Sequence, residues 1–184
     1  MSGVESCRGK LLIAAPTLMD PNFVRTVVYV AEHSEEGAMG LVLNRPATTT
    51  VAESAPELEE LVDPSEPIYV GGPVQPQSVI VLAAFDDPRA AGLLIDGDVG
   101  FLSAEEDFAT SRAAAREMRV FAGHAGWGPG QLDAELERED WIVEPPLPHE
   151  LFSDEPEQLW GAVLTRKGGP FALVARMPLD PSVN

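Results

Sequence analysis

Gly123 to Gly130 reads G-H-A-G-W-G-P-G and is the segment of this sequence with the most chemical promise. It follows a predicted strand and opens a predicted helix, where backbone N–H groups converge on an anion. The spacing of Gly126, Gly128 and Gly130 is not G-x-G-x-x-G, and no Lys follows as in a P-loop. Pro129 removes one donor, and Trp127 would have to swing clear. The plainer reading is a sharp strand-to-helix turn, with Trp127 packed as a core plug. His124 lies in the same stretch and is the best lone acid/base candidate. Nothing adjacent supplies the partner that would orient it, so a satisfied loop histidine is the simpler account.

Asn44-Arg45-Pro46 places an amide and a guanidinium just after a predicted strand. No Lys, Arg or His occurs between Arg45 and Arg89, a stretch that holds eight acids. Arg45 can therefore clamp a carboxylate or phosphate, or form a structural ion pair with a nearby acid. His33, His124 and His149 are far apart and lack ligand spacing, so no metal is expected. Asp96-Gly97-Asp98 begins like a calcium loop, but Gly100 stands where an oxygen ligand belongs, so a turn is expected. Asp86-Asp87 precede Pro88 in an evident turn, and no G-x-S-x-G occurs. Cys7 is the only cysteine, which excludes an intrachain disulfide, and it reads as a frayed terminal residue.

The chain has 184 residues, 45 % hydrophobic, with a net charge of −18. That suffices for one well-packed domain and argues against disorder. Thirty acids against twelve bases disfavour direct nucleic-acid contact. No apolar run approaches a membrane span and residues 1–9 have no signal-like core, so a cytoplasmic protein without a membrane partner is expected.

The elements that must position these residues follow from periodicity and punctuation. Lys10–Ala14, Arg25–Ala31 and Ala38–Leu43 read as strands, the last two joined through Ser34-Glu35-Glu36-Gly37 as a hairpin. Thr50–Val62 reads as a short acidic helix with Val51, Leu58 and Leu61 inward and a break at Pro56. Ile68–Val70 and Ser78–Ala84 are predicted strands around Gly71-Gly72-Pro73-Val74, and Gly92–Ile95 with Val99–Leu102 a second hairpin. Ser103 and Glu106 form a capping box for a helix to about Glu117, with Phe108, Ala109, Ala113 and the stem of Arg116 inward. A strand over Arg119–Gly123 follows, then a helix opened by Pro129 carrying Leu132 and Leu136. Trp141–Val143 is a short strand before a Pro-rich connection, Pro145 to Pro148. Asp154–Lys167 reads as a helix capped by Ser153, with Leu159, Trp160, Val163 and Leu164 inward, and Phe171–Ala175 as a last strand. Hairpins first and helices later predict an α+β fold: one domain over residues 1–184, with a mixed, largely antiparallel sheet and several packed helices. Residues 1–8 and 180–184 are expected to fray.

Taken together, these residues resemble the YqgE/AlgH family over nearly the whole chain. The matching pieces are G-K-L-L-I-A-A-P (Gly9 to Pro16), D-P-N-F (Asp20 to Phe23), E-E-G-A-M-G-L-V-L-N-R-P (Glu35 to Pro46), G-G-P-V (Gly71 to Val74) and F-A-G-H-A-G-W-G-P-G-Q-L (Phe121 to Leu132). The resemblance implies an α+β domain with a mixed sheet. It implies no established activity, only a transcriptional-regulator label from a link to alginate regulation. His124 stands where the family usually has Tyr, and Ala83 where it often has His, which weakens any proposal of a His-based centre.

The expected function is a non-enzymatic binding or regulatory domain, without cofactor, acting through a small ligand or a protein partner. Its candidate surface is Asn44, Arg45, Gly72, His124, Trp127, Gly128 and Gln131, with Arg45 as charge clamp and Trp127 as wall. One alternative is a hydrolase-like enzyme using loop 123–130 as an anion site. Another is a direct DNA-binding regulator, which the charge disfavours.

Overall fold

Runs of β-branched and aromatic residues form strands here because helices and further strands cover their faces. The computed structural model describes residues 5–103 and 107–178. In chain order the elements are β1 (Leu11–Ala14), β2 (Val27–Ser34), β3 (Gly37–Val42), β4 (Pro46–Thr50), α1 (Val51–Ser54), β5 (Pro67–Val70) and β6 (Val74–Phe85). They continue as β7 (Leu93–Asp96), β8 (Val99–Phe101), α2 (Phe108–Ala114), β9 (Ala115–Trp127), α3 (Gln131–Glu137), β10 (Trp141–Glu144), α4 (Pro148–Leu151), α5 (Pro156–Lys167) and α6 (Pro170–Val174). The ten-stranded sheet runs β10-β1-β2-β3-β9-β6-β8-β7, with β4 on β5 and β5 on β9 beside that path. Every pairing is antiparallel except the parallel one of β5 with β9. The fold is therefore α+β with a mixed, largely antiparallel sheet, as expected.

The centre of this topology is a strand crossing. Phe121 of β9 pairs with Tyr69 of β5 on one edge and with Ile80 of β6 on the other. The connection from β5 to β6, Gly71 to Pro73, must therefore pass over one face of β9. It does so in backbone contact. The Gly71 N–H donates to the Ala122 carbonyl (2.9 Å), and the Val42 N–H to the Gly71 carbonyl (2.8 Å). A Cβ on Gly72, where φ is 155°, would lie closer than 3.0 Å to the backbone of His124 and Ala125. A Cβ on Gly123 would press equally on the Gly72 carbonyl. Glycine is the residue that permits such an approach. The G-G-P-V piece and the first glycine of the Gly-rich stretch thus serve one purpose, passing one strand over another.

Alternation along the strands divides the core into three clusters. One face buries Leu11, Ile13, Tyr29, Leu41 and Phe121 under α5, whose Leu159, Trp160, Val163 and Leu164 point inward as their spacing predicts. The Trp160 indole N–H donates to the Ala14 carbonyl at 2.9 Å, which fixes α5 against β1. The opposite face buries Leu12, Val28, Val42, Trp127 and Trp141 against Leu132 of α3. There Phe23, Trp127 and Trp141 form an aromatic triad with centroids 5.6–6.1 Å apart. A third cluster packs Val51, Leu58 and Leu61 on Val81 and Val120.

Several expectations need correction. Phe171–Ala175 is not a strand, because Pro170 begins a short helix after Gly168-Gly169. The helix expected to reach Glu117 ends at Ala114, since Ala115 already pairs with Phe85. Glu106 of the expected capping box lies outside the described residues. Ala109 and Ala113 are exposed, Ser111 is buried, and Arg116 pairs with Asp98 at the surface instead of laying its stem on the core. α5 is capped at Glu155, two residues beyond Ser153. The β2–β3 connection needs only Glu35 and Glu36. The strand β4 and the helix α4 were unforeseen.

Cys7 is not frayed: it is 4 % exposed. Its backbone N–H donates to Nδ1 of His33 (2.9 Å), whose Nε2 contacts Asp133 Oδ1 (2.9 Å). Arg8 donates to the carbonyls of Leu94 and Ile95. Burial pushes the Cys7 thiol above its ordinary value. Iodoacetamide at pH 8 is therefore expected to alkylate the native protein at least about 100-fold more slowly than the urea-unfolded chain, followed by intact mass.

Candidate functional site

The structure separates the residues singled out in the sequence into two places. Arg45 and Gly72 line a shallow hollow of about 220 Å³, with Asn22, Val42 and Pro73. Arg45 forms no ion pair within 4 Å among the described residues, and its guanidinium is occupied by the backbone. It donates to the carbonyls of Asn22 (2.7 Å), Pro21 (3.0 Å) and Val24 (3.2 Å), holding the Asp20–Val24 turn. Asn44 is structural in the same way: its Oδ1 accepts from the Val27 N–H and its Nδ2 donates to the Arg25 carbonyl.

Trp127, Gly128 and Gln131 form the turn into α3. Trp127 is a buried member of the aromatic triad, so it is the core plug and not a wall. The Gly128 N–H donates to Gln131 Oε1 at 3.0 Å. The Gly-rich stretch is not a loop through most of its length. Gly123 to Trp127 belong to β9, and Ala125, Gly126 and Trp127 pair with β3. Pro129 precedes the helix by two residues, and α3 has only seven residues. His124 pairs through its backbone with Val74. Its imidazole makes no hydrogen bond among the described residues, and burial lowers its pKa. Among the described residues, neither a convergent set of free N–H groups at Gly128–Gly130 nor a side chain orienting His124 is present.

A larger cleft, of about 450 Å³, lies at the far end of the α5-covered face. Tyr29 of β2 forms its floor, the β7–β8 turn and the start of β9 one wall, and the segment from Pro146 to Phe152 the other. Tyr29 is 1 % exposed, yet its hydroxyl makes no hydrogen bond among the described residues. Burial raises its pKa; Asp96 and Asp98 add to the effect and Arg8 opposes it, and the balance keeps the phenol protonated. On the rim, Arg116 is engaged by Asp98, Asp86 and the Phe85 carbonyl. The side chains of Asp96, Glu117 and His149 make no hydrogen bond or ion pair among the described residues.

The Pro146–Phe152 wall is held from behind. Glu150 is 3 % exposed and takes Arg166 Nε on Oε2 (2.8 Å) and Arg166 Nη2 on Oε1 (2.9 Å). Oε1 also accepts the Leu147 N–H (2.7 Å), and Arg166 donates to the Pro145 carbonyl (2.7 Å). Sequence reasoning missed this cleft because its parts are scattered. The Asp96-Gly97-Asp98 turn and the Pro-rich connection were both noticed, but as punctuation. Among the described residues, no group of three His, Cys, Asp or Glu could hold a metal ion.

A family model described as AlgH-like (DUF179) matches residues 11–172. This chain belongs to the AlgH-like family. A UPF0301 protein of Streptomyces coelicolor is 38 % identical over 190 residues, covering 100 % of this chain and 98 % of the relative. A UPF0301 protein of Mycobacteroides abscessus is 40 % identical over 188 residues, covering 96 % and 87 %. Among solved structures, a Corynebacterium diphtheriae protein superposes with a TM-score of 0.85 at 30 % identity, covering 95 % of this chain and 94 % of that one. The solution structure of AlgH from Pseudomonas aeruginosa gives 0.70 at 34 % identity, covering 97 % of each. The five motif pieces of this AlgH-like chain lie on β1, in the Asp20–Val24 turn, along β3, at the strand crossing, and from β9 into α3. No helix among the described residues is long and apolar enough to cross a membrane.

Proposed function

We propose that this AlgH-like chain is a non-enzymatic binding domain with a regulatory role, and that it takes a small ligand in the cleft over Tyr29. One observation carries the reading: a tyrosine hydroxyl, on a side chain otherwise sealed in the core, faces the cleft without a partner. A buried polar group is normally satisfied, and one left open to a pocket is a place for a ligand or an ordered water. The cleft holds no Ser or Cys nucleophile paired with a base, which favours binding over covalent catalysis. Direct DNA contact is disfavoured by the charge of −18.

The test is a thermal-shift screen of the full chain against nucleotides, carboxylates, amines, phosphates and metals. A ligand at a hundred times its Kd adds about 2.7 kcal/mol of stability. Tyr29→Phe removes a hydroxyl with no hydrogen-bond partner among the described residues, so its own stability is expected to stay within about 0.5 kcal/mol of the parent. Hits are expected to weaken about tenfold in that variant. The reading fails if no compound shifts the midpoint, or if every hit binds Tyr29→Phe as it binds the parent.

A further inference from the structure

The cleft has a chemical bias that narrows its occupant. Its charged groups are Asp96, Asp98, Arg116 and Glu117, with His149 on the rim. Arg116 and Asp98 neutralise one another. That leaves Asp96 and Glu117 as lining carboxylates whose side chains have no hydrogen-bond partner among the described residues, and of the two it is Asp96 whose charge acts on Tyr29. The lining segment Pro146–Phe152 adds the apolar Leu147, Leu151 and Phe152 beside His149, and Leu147 is 41 % exposed.

An anion in this cleft would meet the Asp96 and Glu117 carboxylates. Arg116 is engaged by Asp98 and Asp86, and Arg8, whose charge also reaches Tyr29, by the Leu94 and Ile95 carbonyls. A neutral apolar ligand would leave the Tyr29 hydroxyl and Asp96 desolvated without a donor, at a cost for each. A metal ion lacks its ligand set, because no cluster of three suitable side chains exists among the described residues. A primary ammonium meets each demand. Its N–H groups can donate to a carboxylate and to the phenol oxygen together, and an attached hydrocarbon can cover Leu147 and Phe152. The excess negative charge of the chain also raises the local concentration of cations.

We infer that the cleft binds a small primary amine with an apolar body, its ammonium donating to Asp96 and the Tyr29 hydroxyl and its hydrocarbon lying along Leu147 and Phe152. This rests on the cleft being a ligand site, as proposed above. The amine is bound and not transformed.

The experiment is an NMR titration of the full chain at pH 7.5 with n-hexylamine, 1-hexanol and hexanoate, on the parent, Asp96→Asn and Tyr29→Phe. Hexylamine is expected to saturate, with shifts centred on Tyr29, Asp96–Val99 and Leu147–Phe152. Each variant is expected to weaken it about tenfold, since each removes one partner of the ammonium. Hexanol and hexanoate are expected not to bind. If either binds as tightly as hexylamine and needs Tyr29, the cleft stands as a site but the amine assignment falls. If hexylamine binds both variants like the parent, its site is elsewhere and the inference is wrong. If none of the three binds, the amine inference is overturned, and the broader screen decides separately whether the cleft has another ligand.

Discussion

Gly72→Ala is expected to cost more than about 4 kcal/mol, enough to leave the chain largely unfolded at 37 °C, as read by urea denaturation followed by tryptophan fluorescence. The expectation follows from the strand crossing. The added methyl would fall inside 3.0 Å of the His124 carbonyl carbon and oxygen and the Ala125 nitrogen. All are backbone atoms, held by pairing of β9 with β6 and β3. A flexible side chain could turn away at little cost, but a strand paired on both edges cannot, and overpacking of rigid neighbours is expensive. Gly130→Ala is the control. Its φ is also positive, at 74°, but nothing lies within 4 Å of the position a Cβ would take. It carries backbone strain alone and is expected to cost about 1 kcal/mol. Equal costs at the two positions would mean that the crossing is loose.

The same crossing explains what was and was not legible in the sequence. The Gly-rich stretch drew notice as a loop because glycines between a strand and a helix commonly make turns. Its first glycine instead lets a second chain segment pass over the strand, and that need is set by Gly71-Gly72, distant in sequence. Local pattern therefore placed the strand end at Gly123, whereas pairing with β3 carries β9 on to Trp127. The α5 face was legible because Leu159, Trp160, Val163 and Leu164 repeat at helical spacing along twelve residues. Phe171 to Ala175 is too short for a period to show, and Pro170 at the helix start was the signal to weigh. Cys7 was misjudged by position alone: β-sheet neighbours and His33 bury it near the chain start. The sequence singles out Asn44 and Arg45 as a candidate binding surface by their place after a strand. What they satisfy is the carbonyls of a turn and a strand end, which no sequence spacing discloses. The cleft was illegible for the same reason. Tyr29 looks like one more inward strand residue until β7, β9 and the Pro146–Phe152 segment close around it.

Arg166→Leu is expected to destabilise the protein by about 3–5 kcal/mol, the usual effect of removing one partner from a buried ion pair. The carboxyl group of Glu150, at 3 % exposure, would be left with only the Leu147 N–H to meet it. The Pro145 carbonyl and Glu144 would also lose a donor, although Lys167 still reaches Glu144. The double substitution Glu150→Leu with Arg166→Leu removes both charges and is expected to recover more than half of the loss, because much of the single-variant penalty is the stranded carboxylate. The two outcomes also separate stability from binding. Glu150 and Arg166 anchor the Pro146–Phe152 wall without lining the cleft themselves. The double variant can thus regain stability while its wall, no longer tied at Leu147 and Pro145, moves more freely. Hydrogen exchange at Leu147 and His149–Phe152 is expected to be faster in the double variant than in the parent even where the melting midpoint is restored. Any ligand seated over Tyr29 should then bind the double variant more weakly, since ordering the wall becomes part of the cost of binding. Unchanged exchange and unchanged affinity in a stable double variant would show that the wall is held by its prolines and by the burial of Leu151, without help from the ion pair.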